Sequence, residues 1–312
     1  MVKVSIIIVN YNQFKLLDDC LRSICEYTKG VTFEIIVVDN NSSEGNIEEI
    51  TQKYSSVFLI KNLTNNRYSK ANNQGIEIAK GEYILLLNND TLFIEDTVSK
   101  VITFIESISN KVFIGCKLLN SDLTHQPSVV DFDSILNLLG EYFFLYKIYP
   151  KSKLFNKFHL SLTSQDETIE VDVVKGAFIF GRSKDFLALN GFDTKFYFFN
   201  EENEFFYRAK NYGAKVIYYP ETSIIHLGGS TTEKMVWFKI RNHSVSKIQY
   251  FQKYFKGFKF FAAVSIHYLG FAIRVPLYLI MGLILLNGNL IYKSLYYFKA
   301  IFIYPKNLFK RQ

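Results

Sequence analysis

The sequence predicts an α/β protein with a mostly parallel central sheet, followed by a helical C-terminal extension. Short apolar runs alternate with segments of helical pattern through the first hundred residues, and these runs lack the polar alternation of a half-exposed sheet. Hydrophobic residues make up 49% of the 312 residues, which allows a sizeable core. The composition then changes, because no Asp or Glu follows Glu233. We therefore expect a first domain over residues 1–232 and a helical extension over 233–312.

The elements of the first domain follow from these patterns. The first four strands are predicted at the apolar runs 4–9, 34–38, 57–60 and 82–87. Helical spacing predicts a helix after the first strand, on Phe14, Leu17, Leu21 and Ile24, and a second helix over 70–79. Residues 121–170 are weakly patterned and are expected to form an insertion or loops. The later elements are predicted as a strand over 171–180, helices over 183–189 and 201–212, and a strand over 214–219 that ends at Pro220.

Polar clusters follow three of the predicted strands. The first strand ends in Asn10-Tyr11-Asn12, the second in Asp39-Asn40-Asn41-Ser42-Ser43, and the fourth in Asn88-Asn89-Asp90. One such cluster alone is typical of an ordinary turn. Because parallel strands of one sheet end at the same edge, three clusters together predict a ligand site there.

Charge is unevenly distributed along the chain. The overall net charge is +7, yet the segment from Lys234 to the end carries thirteen Lys or Arg and no acid. The first 233 residues therefore hold 23 basic and 29 acidic residues, a net charge of −6. A uniformly basic nucleic-acid binder does not have this pattern, so we expect no nucleic-acid partner. The three cysteines form no metal-ligand spacing, and their odd number argues for a reducing compartment.

The C-terminal extension is predicted to be helical and aromatic. Phe238, Arg241, Val245, Ile248 and Phe251 recur at spacings of three and four, with lysines off that line, which is typical of a basic amphipathic helix. A more apolar segment, 262–286, is interrupted by Arg274 and Pro276, and the uninterrupted run 276–286 is too short to span a bilayer. We expect the extension to lie on an anionic membrane surface. Packing on the first domain, a homodimer contact, or a shallow hairpin turning at 287–289 are the alternatives.

An ordered series of motifs resembles glycosyltransferase family 2, a GT-A group that includes bacterial rhamnosyltransferase-like enzymes. The resemblance covers about residues 3–232. The motifs are VSIIIVNYN (4–12), EIIVVDNNSS (34–43), KANNQG (70–75), GEYILLLNNDT (81–91), KGAFIFGR (175–182), GFD (191–193), EENEFFYR (201–208) and IIHLGG (224–229). The resemblance implies a GT-A-type nucleotide-sugar-binding sandwich.

The resemblance assigns residues to donor binding. Asn10 and Asp39 fall where the family holds the base and ribose, and Asp39 is able to accept from a uracil or thymine ring N–H. Arg67 lies where the sequence departs from the family pattern, and it is either a diphosphate contact or a solvated loop residue. The donor-binding set implied by the resemblance is Asn10, Tyr11, Asp39, Asn41, Arg67, Asn72, Asn88 and Asn89.

The resemblance also implies a divalent cation. Asn88-Asn89-Asp90 occupies the position of the family's D-x-D-like motif, so Asp90 is its only acidic member. His226 falls where some relatives add an imidazole ligand, which suits Mn²⁺ better than Mg²⁺. The alternative for His226 is a hydrogen-bonded histidine at a strand end. Such a cation stabilises the charge that grows on a departing diphosphate.

The general base is expected at the start of the helix over 201–212. Glu201 and Glu202 match a Glu-Asp pair of the family, and the second member is the usual base, so Glu202 is expected to take that role. Glu stands here where Asp is usual, which leaves Glu201 and Glu204 as rivals. The alternative is that these acids only favour the helix N-terminus.

The resemblance thus implies an inverting, metal-dependent glycosyltransferase. The expected donor is a nucleoside-diphosphate sugar, UDP or dTDP in preference to GDP. The expected acceptor is a glycan or a lipid-linked molecule in cell-surface polysaccharide synthesis, at the cytoplasmic face of the membrane. A nucleotidyltransferase or a catalytically silent membrane scaffold are the alternatives. A nucleotidyltransferase would require a glycine-rich loop after the first strand, and this chain instead has Asn10-Tyr11-Asn12-Gln13 there.

Overall fold

A computed structural model describes residues 1–43, 45–152, 154–155, 166–196, 198–228 and 236–304. The chain divides into two compact units. The first unit comprises Met1–Val130, Thr163–Lys195 and Glu201–Gly228, and the second comprises Asp131–Leu162, Phe196–Asn200 and Gly229–Gln312. Residues 131–155 and 196–200, which the sequence placed in the catalytic domain, thus belong to the second unit. Each unit is therefore assembled from three segments that are separate in the sequence.

All the strands in the described residues lie in the first unit, whereas the described elements of the second unit are helices. The strands are β1 (Val4–Asn10), β2 (Phe33–Asp39), β3 (Val57–Lys61), β4 (Tyr83–Asn88), β5 (Thr91–Phe93), β6 (Val112–Leu119), β7 (His125–Gln126), β8 (Val129–Val130), β9 (Ile169–Glu170), β10 (Val173–Val174), β11 (Phe178–Arg182) and β12 (Lys215–His226). The helices are α1 (Phe14–Tyr27), α2 (Ile47–Thr51), α3 (Arg67–Ile78), α4 (Thr97–Glu106), α5 (Ile135–Tyr142), α6 (Leu145–Ile148), α7 (Ser183–Ala188), α8 (Glu201–Asn211), α9 (Val236–Tyr254), α10 (Phe258–Ile284) and α11 (Gly288–Ile301). The described residues of the second unit form α5, α6, α9, α10 and α11.

One large sheet forms the centre of the first unit. Its strand order is β3-β2-β1-β4-β11-β6-β12-β5, and the first four of these strands run parallel. Asn10 pairs with Asp39, and Val9 pairs with Asn88, so the ends of β1, β2 and β4 lie at one edge. The predicted α/β fold and the shared edge of the three polar clusters are confirmed.

The core of the first unit forms where helices cover these strands. β1, β2 and β4 are buried along most of their length, which explains why their sequences lack polar alternation. Leu17, Leu21 and Ile24 of α1 are fully buried against this core, as their helical spacing predicts.

Strand β12 differs from its prediction. The strand does not end at Pro220 but continues to His226, and its register with β6 shifts between Tyr219 and Ser223. A bulge of this kind accommodates a residue that lacks an N–H donor. The continuation carries His226 to a position opposite Thr91 of β5, next to the end of β4. In addition, β5, α4 and β6 lie in a stretch for which no element was predicted.

Helix α9 is a core helix of the second unit, so the prediction of a surface helix there was wrong. Ile248 and Phe251 are buried, as is Lys247, whose Nζ lies 2.7 Å from Asp133 Oδ1. The side chains of this pair are 1% and 0% exposed. The apolar stripe of α9 packs against protein, and the basic residue beside it is neutralised by a buried acid rather than by a membrane.

Helix α10 runs unbroken through Arg274 and Pro276, which the sequence placed as interruptions. Arg274 is buried, and its guanidinium donates to the carbonyl oxygens of Tyr142, Gly270 and Glu141. Its N–H groups therefore provide hydrogen bonds to carbonyl oxygens at the C-terminal end of α5, where a positive charge is also favourable. Among the described residues, α10 is the one helix that is long and apolar enough to cross a membrane, judged by length and composition only. The chain does turn after α10, but it does so at 285–287, since Asn287 caps α11 and the helix already includes Gly288 and Asn289.

Candidate active site

A buried polar cluster joins the ends of β1 and β2. Asn10 is fully buried, and its Nδ2 donates to Asp39 Oδ1 at 3.1 Å. The Ser42 hydroxyl and backbone N–H both donate to the Asp39 carboxylate, at 2.6 and 2.9 Å. Asn89 Nδ2 donates to Asn10 Oδ1 at 2.8 Å, and this hydrogen bond links the end of β4 to the cluster. The structure thus brings together Asn10, Asp39 and Asn89, three of the residues predicted to bind the donor.

The loop after β2 is held by a second amide. Asn40 is buried; its Nδ2 donates to the Arg67 carbonyl at 3.2 Å, and its Oδ1 accepts from Asn62 Nδ2 at 3.0 Å. Asn41 and Arg67 both adopt left-handed backbone conformations, with φ of 61° and 64°. Asparagine tolerates this region better than most residues, which suits Asn41 to its position in this loop.

Three other residues predicted to bind the donor, Tyr11, Arg67 and Asn72, lie outside the hydrogen-bonded cluster at the ends of β1 and β2. Partial burial lowers the pKa of Arg67, and the Tyr11 ring opposes this shift electrostatically, so these two side chains are neighbours. Tyr11 is exposed. Asn72 is buried in α3, where its Nδ2 donates to the Tyr68 carbonyl of the same helix. The structure therefore gives the Asn72 amide a partner within its own helix.

Asp90 and His226 meet beside the end of β4. His226 Nε2 lies 3.3 Å from Asp90 Oδ1 and 3.5 Å from Asn88 Nδ2. The Leu227 N–H donates to the Asp90 carbonyl at 2.9 Å, which fixes the two segments to each other. A carboxylate oxygen and an imidazole nitrogen this close form a donor pair that suits Mn²⁺. Within the described part of the chain, no group of three or more His, Cys, Asp or Glu side chains is arranged to hold a metal.

Gly176 connects the end of β4 to helix α8. The Asn88 N–H donates to the Ala177 carbonyl at 3.2 Å, and the Gly176 N–H donates to Glu202 Oε1 at 3.2 Å. Tyr68 Oη donates to the Gly176 carbonyl at 3.1 Å. One peptide segment therefore places the Glu202 carboxylate next to the edge that carries Asn88.

The two adjacent glutamates at the start of α8 differ in environment. Glu201 is buried, and burial together with the charge of Glu202 holds its pKa well above the ordinary range. Burial also raises the pKa of Glu202, but the N–H donor of Gly176 and the positive charge of Lys175 oppose that shift. Glu201 is thus the member that holds a proton more readily, and Glu202 is the member better able to remain ionised. Paired carboxyl groups with separated pKa values are typical of acid–base sites.

Glu204 has a different role from its neighbours. Its side chain is fully buried, and Arg208 Nε and Nη2 donate to its two oxygens at 2.8 and 2.9 Å. Arg208 also donates to the carbonyl oxygens of Leu189 and Gly191. A carboxylate held in this way anchors the Gly191 turn and is not free to accept a substrate proton.

We expect Gly176→Ala to reduce turnover by roughly tenfold to a hundredfold. The added Cβ would lie 2.5 Å from Glu202 Oε1 and 2.6 Å from Tyr68 Oη, so the carboxylate must shift. Steady-state kinetics measures the loss, and nucleotide binding should be retained because the Asn10–Asp39 cluster is untouched. Gly288→Ala, where the Cβ meets open space, is the matched control. Equal activity of the Gly176 variant and the wild type would contradict this arrangement.

Two polar residues of this site were not among the predicted site residues. Tyr68 follows Arg67, at the place where the sequence departs from the family pattern. Gln126 lies on the two-residue strand β7, inside the weakly patterned stretch 121–170. Its Oε1 is 2.6 Å from His226 Nδ1. A strand of two residues has no periodicity that a sequence pattern could detect.

Comparison with known proteins places these features in one family. A family model described as glycosyl transferase family 2 matches residues 5–166, more than half of the 312 residues. An uncharacterized glycosyltransferase of Haemophilus influenzae is 32% identical over 132 residues, which cover 41% of this chain and 44% of that protein. A poly(ribitol-phosphate) beta-glucosyltransferase of Bacillus spizizenii is 31% identical over 118 residues, covering 36% of this chain and 19% of that protein. The chain thus matches less than half the length of these relatives.

A solved structure shares the fold. The mannosyltransferase PcManGT from Pyrobaculum calidifontis, in complex with GDP-Man and Mn²⁺, superposes with a TM-score of 0.58 at 16% identity. The match covers 99% of this chain and 88% of that one. The likeness confirms the predicted fold class.

Proposed function

The chain belongs to glycosyltransferase family 2, and we propose on this basis that it transfers a sugar from a nucleoside diphosphate to an acceptor hydroxyl with inversion at the anomeric carbon. The observation that carries the proposal is the placement of Glu202. Its carboxylate binds the Gly176 N–H, and the adjacent Ala177 carbonyl binds the Asn88 N–H, beside the Asp90–His226 pair. A candidate base and a candidate diphosphate site therefore share one edge of the sheet.

The proposed reaction is a single displacement. Glu202 accepts the proton of the acceptor hydroxyl while that oxygen forms a bond to the anomeric carbon. The bond from the anomeric carbon to the diphosphate oxygen breaks in the same step, and the electron pair leaves with the nucleoside diphosphate. Inversion follows because the acceptor approaches opposite to the leaving group. Glu201 holds a proton more readily, and in its protonated form it adds no second negative charge beside Glu202.

Asp90 and His226 are the residues that would hold a divalent cation, Mn²⁺ or Mg²⁺. The carboxylate oxygen of Asp90 suits either ion, and the imidazole of His226 favours Mn²⁺. When bound, the cation supplies charge that stabilises the leaving diphosphate. The protein itself offers few ligands here, so the proposal requires the phosphate oxygens to complete the site.

Asp39 and Asn10 are proposed to hold the nucleotide base. The Asp39 carboxylate accepts three hydrogen bonds from Asn10 and Ser42, which leaves one acceptor position of its usual four for a ring N–H. Uracil and thymine present one ring N–H, whereas guanine presents a ring N–H beside an amino group and needs two acceptors, so the single position supports a UDP- or dTDP-sugar in preference to a GDP-sugar. A glycan or a lipid-linked molecule of cell-surface polysaccharide synthesis is the proposed acceptor class.

The donor proposal is tested with the full chain and a panel of UDP-, dTDP- and GDP-sugars in the presence of Mn²⁺. Release of nucleoside diphosphate and transfer to an acceptor are followed separately. We expect the uracil or thymine donors to bind and react in preference to the guanine donors. Preferential use of GDP-sugars would overturn the assignment of Asp39, and no turnover with any donor would count against the transferase proposal.

We propose in addition that the protein is peripheral at the cytoplasmic face of the membrane, through one surface of α10 and α11. We call this surface the hairpin face. Its members are large apolar side chains, each more than a third exposed: Leu269, Leu277, Ile280, Leu283, Ile284, Leu286, Leu295, Phe298 and Phe302. Leu286, at the turn between the helices, is 93% exposed. An apolar surface of this extent is typical of a contact with lipid or protein.

Charge around the hairpin face favours lipid. No charged residue occurs between Arg274 and Lys293 in the sequence, and the Arg274 guanidinium is buried against backbone carbonyls rather than facing outward. Lys293 and Lys299 follow on α11, with tyrosines between and beside them. Apolar side chains flanked by lysine and tyrosine are typical of segments that lie at the interface of an anionic bilayer.

We expect the double variant Ile280→Asp/Ile284→Asp to abolish binding to anionic vesicles. Both positions are exposed and lie one helical turn apart, so each Asp would place a charge in the interface. Cosedimentation with phosphatidylglycerol-containing and neutral vesicles measures the effect, and Leu187→Asp, at an exposed position on α7, is the matched control. Lys293→Gln/Lys299→Gln should weaken binding about 30-fold at low salt, at about 1 kcal/mol per lysine.

Two results would count against the membrane proposal. If the full-length protein does not bind anionic vesicles, lipid does not cover the hairpin face. A concentration-dependent dimer in sedimentation velocity without lipid, lost in the Ile280→Asp/Ile284→Asp variant, would assign the face to a second copy of the chain.

A further inference from the structure

The amide of Gln126 has its orientation set by its neighbours. Its Nε2 donates to the His226 backbone carbonyl at 3.0 Å and to Asn120 Oδ1 at 2.9 Å. Asn120 is oriented in turn, because its own Nδ2 donates to Thr124 Oγ1 at 2.9 Å, and that hydroxyl must accept since it gives its proton to Asp122 Oδ1 at 2.6 Å. A backbone carbonyl only accepts hydrogen bonds, so the nitrogen of Gln126 must face it. The oxygen of Gln126 is therefore the atom that lies 2.6 Å from His226 Nδ1.

This orientation determines which nitrogen of His226 carries a proton. An amide oxygen cannot donate, so His226 Nδ1 must donate to it as N–H. In a neutral imidazole the lone pair then lies on Nε2, the nitrogen that is 3.3 Å from Asp90 Oδ1 and 3.5 Å from Asn88 Nδ2. The opposite tautomer would present a proton at Nε2 and lose the bond to Gln126.

The sheet holds both partners in place. Gln126 pairs with Leu118 of β6, and Ile225, the neighbour of His226, pairs with Leu119 of the same strand. Gln126 and the neighbour of His226 thus pair with adjacent residues of one central strand. The separation of the Gln126 oxygen from the imidazole is set by this register rather than by a mobile loop.

We propose that Gln126 is a positioning residue that selects the Nδ1–H tautomer of His226 and so directs the Nε2 lone pair toward Asp90 for a divalent cation. This rests on the cation assignment in the proposed function. Outer partners of this kind orient a ligand and raise its basicity, and their loss costs roughly 10–100-fold in metal affinity. Gln126 touches neither substrate nor cation in this role.

Two variants separate positioning from mere packing. Gln126→Met keeps the length of the side chain but removes the acceptor for Nδ1. Gln126→Glu keeps an acceptor oxygen and removes the donor to Asn120 and to the His226 carbonyl. If Gln126 acts through the imidazole, the glutamate variant should resemble the wild type and the methionine variant should not. A purely structural amide would give a loss in both variants, since glutamate loses two of its three hydrogen bonds and methionine loses all three.

The first readout is the tautomer of His226 in the metal-free protein. Two-bond ¹H–¹⁵N correlation spectra at about pH 8.5, two units above the ordinary histidine pKa, distinguish the two tautomers. We expect Nδ1–H in the wild type and in Gln126→Glu, and a mixture of tautomers in Gln126→Met. The Nε2–H tautomer in the wild type would overturn the proposal, and so would an unchanged Nδ1–H tautomer in Gln126→Met.

The second readout is Mn²⁺ affinity by calorimetry in the presence of UDP. We expect roughly 10–100-fold weaker binding for Gln126→Met and near wild-type binding for Gln126→Glu. UDP binding in EDTA serves as the control for folding and should be equal in all three proteins. Wild-type affinity in Gln126→Met would overturn the positioning role. A wild type that has the Nδ1–H tautomer but binds no Mn²⁺ would overturn the cation assignment, and the role of Gln126 with it.

Discussion

Replacement of Glu202 by glutamine is expected to lower kcat by roughly 10²–10⁴-fold, the usual contribution of a general base. Glutamine keeps the shape of the side chain and an oxygen to accept from the Gly176 N–H, but it cannot take a proton from the acceptor hydroxyl. Single-turnover rates with a bound donor would measure the effect. Affinity for the donor should be retained, because the Asn10–Asp39 cluster is unchanged.

Glu201→Gln is the informative comparison for this experiment. Since the pKa of Glu201 lies well above its usual range, glutamine imitates the neutral form that the buried site already favours. We therefore expect a much smaller loss of kcat than for Glu202→Gln. A large loss in Glu201→Gln with an active Glu202→Gln would move the base to Glu201.

The same environments predict the pH dependence of turnover. Burial raises the pKa of Glu202, so the base becomes protonated at a higher pH than an ordinary glutamate, whose pKa is about 4.3. As pH falls through this raised value, kcat should decline. The acid limb of the kcat profile should therefore occur at a higher pH than the titration of an exposed glutamate. This limb should be absent from the pH profile of the residual activity of Glu202→Gln.

Loss of the Asp90 carboxylate is expected to have the second largest effect. Asp90→Ala should lower divalent-dependent turnover by about 10²–10³-fold, because a catalytic cation contributes several kcal/mol and each 1.36 kcal/mol corresponds to tenfold. Activity measured across a Mn²⁺ titration would show the loss. Glu77→Gln, which removes an exposed carboxylate from α3, is the control. Wild-type activity that persists unchanged in EDTA would contradict the cation assignment.

The edge of the sheet could be predicted from the sequence because its signals are local. Each of β1, β2 and β4 is a continuous apolar run that ends in Asn or Asp, and parallel pairing brings such ends together without further information. Asn10, Asp39 and Asn89 were found in this way. The structure confirms that they share one cluster, while their roles in donor binding remain proposals.

Other parts of the site depend on distant contacts that no local pattern carries. Gln126 and His226 are 100 residues apart and meet only because both β7 and β12 pair with β6. Proline commonly terminates strands, yet β12 continues past Pro220 because a bulge in its pairing with β6 accommodates this residue. The exclusion of Glu204 as a base required knowing that Arg208 holds both its oxygens.

The C-terminal extension shows why composition alone misled the prediction there. The helical stripe on α9 was correct as a pattern, but a stripe does not reveal whether protein or lipid covers it. Lys247 counted as a surface charge in the sequence and is buried beside Asp133 in the structure. Arg274 appeared to interrupt an apolar helix, whereas its guanidinium binds the C-terminal carbonyls of α5.

The pairing of Asp133 with Lys247 has a consequence for how the chain folds as it is synthesised. Residues 131–155 leave the ribosome nearly a hundred residues before α9, so Asp133, which precedes α5, has no counter-ion while the strands that complete the first unit are still being made. A chain that stops after residue 232 contains Asp133 but never gains Lys247, and it leaves Tyr142 without His267 and Arg274. Truncation at the boundary that composition suggests would therefore yield a protein with an uncovered, charged helix, prone to aggregate during expression.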